Sequence, residues 1–553
     1  MSTLNIGNYE EHRPHSMIIQ NKQIVPEVSA DRTSLVLIGS SGGQLNPDYE
    51  GKGLITISST GDINKKLLTT TSTTPIEANK LYYGATMAFS AGGGKTFYVI
   101  DTYVKSKASA DAASKVTIAE QEVNLSWDSA YSCSGILSFG ARTSKVISFE
   151  FIPASKKVIY RAVPVCDSTS GLTTDYAEID NVNFTAVSAA GYTIPQFSVT
   201  VADADATWAA KYPLSVPAIG EVVVSTAAGE DWNTALKVLG NSDRMMFVCP
   251  LTYDPAISVK VKLKGLELSS PDVQRWKRTY QGIPADPTNQ KDNLNDLRGL
   301  TSANRVKSII DGISAYSAGL SDEANQRSVN VWSAGAYNYA LNSATGKIET
   351  TSVPNMYIAA GVAALRAASL PQQGLSMKEL SWVSSIPDNY MLFDKTDLNA
   401  IAVGSSTDSG VGTMIIAQDD EGSNPYIRHQ LTGDLTRGIL YYEDSVGVNV
   451  DTICYGIKDI IKPYIGQRNN TQTTLVEIRN RITDYLLELT NTGVDLDSRR
   501  IGPQINAVDL ESIVVRLDSD LRDRVVCSFD IEVALPINTI KVHVNAYADL
   551  NDR

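Results

Sequence analysis

No run of about 18 consecutive apolar residues occurs in the chain, so a membrane-spanning helix is not expected. Clustered lysine and arginine are missing too. The 48 basic residues face 61 acidic ones, a formal charge of −13, and phosphate recognition needs basic tracts that this chain lacks. Direct binding of nucleic acid is therefore not expected. Histidine is scarce: His12 and His15 lie in a polar stretch, His429 stands alone, and His543 falls on the polar face of a terminal strand. None has a cysteine or carboxylate at metal-ligand spacing, and Asp203/Asp205 and Asp495/Asp497 lack the rest of a calcium loop. No metal and no cofactor is expected. The five cysteines (Cys133, Cys166, Cys249, Cys454, Cys527) form no CxxC pair and are odd in number, which reads as free thiols in a reducing cytosol. The opening MSTLNIGNYEEHRPHSMIIQ has acidic residues where a signal peptide would have a basic start and an apolar core, so secretory export is not expected.

What is present is a chain of 553 residues, 43% hydrophobic, long enough for several folded units. Only 20% of residues are charged, and the 25 tyrosines outnumber phenylalanine and tryptophan together. Tyrosine joins an apolar ring to a polar tip, which suits half-exposed and interfacial positions.

Residues 1–25 are polar, lack periodicity and read as an N-terminal arm. Ser34 to Gly39 and Thr96 to Ile100 are short apolar runs of buried-strand type, and Arg244 to Pro250 is a third. A helix is expected from Trp232 to Leu239, another from Ala303 to Ile313, and a strand from Ser328 to Trp332. Strands alternating with helices indicate an α/β layer. Between about 102 and 231 the pattern changes to short β-branched and aromatic runs such as Lys145 to Ile152, an all-β unit inserted into the α/β part. Val353-Pro354 opens a helix rich in alanine and glycine, Met356 to Ala368, where other backbones can approach closely. A helix with Ile453, Ile457, Ile460 and Ile461 on one face covers Asn449 to Lys462. The most regular helix runs from Gln472 to Leu489, with Leu475, Ile478, Ile482, Tyr485, Leu486 and Leu489 at helical spacing and Gly493 as its stop. Cys527, Phe529, Ile531, Val533 and Leu535 alternate with polar residues, and after Pro536 the alternation resumes at Ile540, Val542 and Val544.

Two motifs point towards chemistry. Gly39-Ser40-Ser41-Gly42-Gly43 satisfies GxSxG after a strand, as in a serine hydrolase, but a loop rather than a helix should follow it. Ser90-Ala91-Gly92-Gly93-Gly94-Lys95-Thr96 has phosphate-loop composition, yet Phe89 stands where the first glycine is required and a strand follows. Both read as glycine-rich turns, and no enzyme is expected. The GxSxG serine hydrolase remains the catalytic alternative.

Four stretches carry a family resemblance: Leu35 to Gly43, Pro354 to Leu370, the helix pair Val450–Tyr464 and Thr474–Leu489, and Val525 to Val542 with its strand, proline and last strand. Their order resembles the contractile tail sheath proteins of bacteriophages, related to pyocin and type VI secretion sheaths; the structural alternative is a different virion protein, such as a tail tube, adhesin or receptor-binding subunit. The resemblance implies a mixed α/β core assembled from N- and C-terminal parts of the chain, of α+β and α/β multidomain class, with an all-β insertion domain and extended terminal arms. The divisions become arm 1–25, first core part 26–101, outer-surface insertion 102–231, middle α/β segment 232–350, C-terminal sheath core 351–535 and arm strand 536–553. It also implies a helical homo-oligomer around a tail tube protein, capped by baseplate and tail terminator or neck proteins, found in the virion tail and assembled in the host bacterial cytoplasm. Subunits of the family lend strands to neighbours. The matching positions here are Ile540, Lys541, Val542, His543, Val544 and Asn545, with Leu4 and Ile6 at the other end.

Overall fold

Ser34–Gly39 reads SLVLIG, and all six residues are buried. Successive side chains of a strand point to opposite faces, so Leu35 and Leu37 join one core while Val36 and Ile38 join another. A strand apolar on both faces belongs inside a covered parallel sheet. It pairs in parallel with Phe97–Asp101 on one side and Met245–Pro250 on the other. The computed structural model describes residues 34–69, 74–108, the strands between 114 and 230, 231–241, 245–342, 347–405, 409–491, 494–496, 499–519, 521 and 523–536.

The sheet has eight strands in the order Ile55–Ile57, Phe97–Asp101, Ser34–Gly39, Met245–Pro250, Arg278–Ile283, Ser328–Trp332, Thr413–Ala417 and Tyr426–Ile427. The inner six are parallel, and each outermost strand runs antiparallel to its neighbour. Helices Lys80–Ala91, Pro255–Leu268, Ser302–Ser314 and Asn355–Ala368 make the crossovers between parallel strands. Three of their starts are chemically marked: Asp254 accepts from Ala256 N and Ile257 N, with Pro255 at the first position, Asn79 accepts from Tyr82 N, and Thr301 accepts from Asn304 N.

The small-residue helix Asn355–Ala368 is buried along most of its length. A Cβ on Gly361 would come within 2.6 Å of the Trp382 ring, so a larger residue would force that indole away. The close backbone approach that this composition predicts occurs at the start of the helix, where a Cβ on Gly282 would overlap Met356 Cα.

Nine antiparallel strands between Ser114 and Val223 form a second sheet, as the β-rich pattern of that stretch predicts. A two-stranded ribbon, Tyr103–Ala108 with Thr226–Glu230, leads the chain out to it and back. Three further ribbons complete the described strands: Ala336–Asn342 with Lys347–Val353, Val494–Leu496 with Arg499–Ile501, and Ile505–Leu517 with Val525–Val533. The whole is a mixed α/β fold with separate small β-sheets.

Candidate subunit-docking surface

The Gln472–Asn491 helix buries Leu475, Ile478, Ile482, Leu486 and Leu489, the stripe its spacing predicts, while Tyr485 is only half-buried. This stripe packs with Ile453, Ile457 and Ile461 of the preceding helix and with Ile505 and Ile513 of the ribbon. That preceding helix begins at Asp444, five residues before the start at Asn449 that its apolar spacing predicts, and is buried nearly all round instead of on one face. Its first turn is drawn inward by charge. Arg278, on the Arg278–Ile283 strand, donates to Asp444 at 3.0 Å and to Asp451 at 2.9 Å, and Arg327 donates to Asp451 through both terminal nitrogens at 3.0 Å. Gln430 and the Tyr280 hydroxyl also donate to Asp444. Burial opposes the Arg278 charge, but Asp451 and Asp444 outweigh it and hold the guanidinium above its usual range. The network bolts the helix pair and its ribbon to the central sheet.

On Val525–Val533 the expected alternation is present: Cys527, Phe529, Ile531 and Val533 are half-buried, and Ser528, Asp530 and Glu532 are exposed. The partner strand Ile505–Leu517 was not anticipated from sequence. Its alternation is broken where Asp509 pairs with Asp530 but Val514 pairs with Ser528, so that Leu510 to Ile513 form a bulge opposite Phe529, with Leu510 exposed and Ile513 buried. Ser512 Oγ fills the gap in the ladder, accepting from Asp530 N and donating to Asp509 O, both at 2.7 Å. Among the described residues the outer edge of neither strand is paired. Leu510, Val514 and Leu517 are exposed on this ribbon.

The base of the ribbon is tied to the loop after the small-residue helix. Gln372 Nε2 donates to Gly502 O at 3.0 Å, Ala534 N donates to Gln504 O at 3.3 Å, and Pro536 abuts Gly374. The loop takes its shape from buried Arg366, whose guanidinium donates to the carbonyls of Leu370, Pro371 and Gln373. Pro536, the last described residue, therefore lies at the base of the open ribbon. Ile540, Lys541, Val542, His543, Val544, Asn545, Leu4 and Ile6 lie outside the described residues.

The two motifs with catalytic overtones are placed in structural roles. Ser41 is buried, and its hydroxyl donates to Asp101 Oδ2 at 2.6 Å; a glycine turn and a short 3-10 segment follow it, where a nucleophile elbow would enter a helix. Gly92 to Gly94 end the Lys80–Ala91 helix and turn into a strand, so no helix N-terminus is offered to a phosphate. Cys249, Cys454 and Cys527 are free, and burial pushes the Cys454 thiol up to about 12 and the Cys527 thiol to about 11. Among the described residues no cluster of three metal-ligating side chains occurs, and no helix is long and apolar enough to cross a membrane.

No protein-family model matches the chain, and no curated protein does. Among solved structures, it is similar to a sheath tail protein from Desulfitobacterium hafniense, with 14% identity, 91% of this chain and 93% of the other covered, and a TM-score of 0.44. It is also similar to a sheath tail protein from Listeria innocua, with 11% identity, coverage of 92% and 94%, and a TM-score of 0.46. A third similarity is to a chain of the anti-feeding prophage baseplate, with 11% identity, coverage of 57% and 73%, and a TM-score of 0.37.

Proposed function

We propose that the chain is the structural subunit of a contractile phage tail sheath. In this reading it polymerises helically around a tail tube protein and contracts to drive the tube through the host envelope for genome delivery. It carries no catalytic role. Its partners are other copies of itself, the tube, and the baseplate and neck proteins at the two ends of the tail. It is a component of the virion tail assembled in the host bacterial cytoplasm.

One observation carries the proposal. A two-stranded ribbon with both outer edges unpaired among the described residues is bolted to the body, and a strand-patterned segment, Ile540 to Asn545, follows it in the sequence. Unpaired edges invite a further strand. In this reading that segment supplies the strand to a neighbouring copy, and identical subunits joined through unlike surfaces build open helices. The divisions of the chain follow from this role: the terminal segments 1–25 and 536–553 act as connecting arms, 26–101 and 232–535 form the body, and 102–231 decorates the outside. Two packings of one polymer, extended and contracted, need a difference of only roughly 1 kcal/mol per subunit to drive a stroke when many copies are coupled.

Electron microscopy of the purified chain tests the proposal. Hollow cylinders with regular striations are expected, and a preparation that stays monomeric at every concentration and ionic strength would count against it.

A further inference from the structure

Asp101 stands where the central sheet hands the chain to the inserted β unit. Immediately after it, Thr102 N donates to Gly39 O at 2.9 Å, and Asp231 N of the returning chain donates to Thr102 O at 2.7 Å. The half-buried Asp101 carboxyl gathers three more bonds at this crossing. Oδ1 accepts from Ser41 N and from Tyr103 N, both at 2.9 Å, and Oδ2 accepts from Ser41 Oγ at 2.6 Å. One side chain thus joins the turn after Ser34–Gly39 to the first residue of the outgoing neck strand Tyr103–Ala108. The charged groups that face it come from two other segments. Glu230, on the returning neck strand Thr226–Glu230, is held by Lys80 Nζ at 3.0 Å and by Trp232 Nε1 at 2.8 Å; Glu50 comes from the turn before Ile55–Ile57. Both are acidic and oppose a third negative charge.

We propose that Asp101 is a proton-operated latch at the neck of the inserted unit, closing the neck onto the sheet when neutral and loosening it when ionised. The geometry serves both states. Protonated Oδ2 can donate to Ser41 Oγ, and Oδ1 continues to accept from both amides, so no bond is lost when the charge disappears. What changes is the electrostatic cost. Burial, with Glu230 and Glu50 behind it, lifts the Asp101 carboxyl from 3.8 to about 7, against the bonds from Ser41 that favour its ionised form. An opened neck would return the group to its ordinary range. Between these values the closed form binds more protons than the open one, so acidification favours closing. From pH 8 to pH 6 the opening equilibrium falls about tenfold.

The test is amide hydrogen exchange of the full-length chain at pH 6, 7 and 8, corrected for intrinsic rates and read at Thr102, Tyr103 and Asp231. Protection should rise about tenfold from pH 8 to pH 6. Asp101→Asn, which can keep all three bonds without a charge, should be equally protected at every pH, near the wild-type level at pH 6. Glu230→Gln should move the midpoint of the wild-type profile to lower pH. Protection that is flat in the wild type, a tenfold change that survives in Asp101→Asn, or a midpoint unmoved in Glu230→Gln would each overturn the assignment.

Discussion

Arg278 Nη1 donates to Asp444 Oδ1 at 3.0 Å with both side chains sealed from water, although 166 residues separate them in the chain. The contact lies between the middle of the sheet and the first turn of the helix that carries the ribbon. Gly447 has no room for a Cβ because the Arg278 guanidinium occupies that space. Removing one partner of a buried pair leaves an uncompensated charge, so Arg278→Met should lose about 3–5 kcal/mol of unfolding free energy in urea titration. Replacing Arg278, Asp444 and Asp451 together by apolar residues should cost less than the sum of the single changes. A loss under about 1 kcal/mol in the single variant would show that the network does not fasten the helix.

Gly456 and Tyr485 set the spacing of the two C-terminal helices, since a Cβ on Gly456 would overlap the tyrosine hydroxyl. Gly456→Ala should therefore destabilise by about 1–3 kcal/mol despite the better helix propensity of alanine. The double change Gly456→Ala with Tyr485→Phe should recover part of the loss in the same denaturation assay. An unchanged midpoint in the single variant would rule out tight contact there.

Lys262 lies buried in the Pro255–Leu268 helix, donating to Tyr316 O and Asn330 Oδ1 at 2.7 Å each. Burial lowers its pKa to about 7 from 10.5. Between those values the unfolded chain holds the proton and the folded chain does not, so this group makes stability rise with pH across that window and weakens the fold below it. Lys262→Met should flatten the rise, seen as a smaller difference in chemical denaturation midpoint between pH 7 and pH 10. A difference as large as that of the wild type would mean that the amine is charged in the fold at neutral pH.

Legibility in the sequence followed the periodicity of burial. Ser34–Gly39 and Ser328–Trp332 are apolar on both faces and stand out, and the Gln472–Asn491 helix shows its stripe plainly. The Pro255–Leu268 helix is harder, because Val259, Val261 and Leu263 alternate with lysines as a strand would. The Asp254 cap and Pro255 settle it locally, while tertiary packing buries Val261 and Lys262 and leaves Leu263 exposed. Ile505–Leu517 escaped detection because its bulge breaks the two-residue rhythm. The buried charges of Arg278, Asp444 and Asp451 were invisible for a different reason. A charged residue in a sequence carries no sign of a partner so far along the chain, and its default place is the surface. Of the candidate docking surface, the Val525–Val533 strand and the helix beneath it were legible, and the ribbon's second strand and its bolt to the sheet were not.

Truncation at residue 540 puts the strand-lending claim to its most direct trial. Full-length chain and chain lacking residues 541–553 would be compared by sedimentation and electron microscopy under identical conditions. Striated tubes from the full-length chain and only folded, unassembled subunits from the shorter one are the predicted pair of results. Tubes of normal length and striation from the shortened chain would contradict the account.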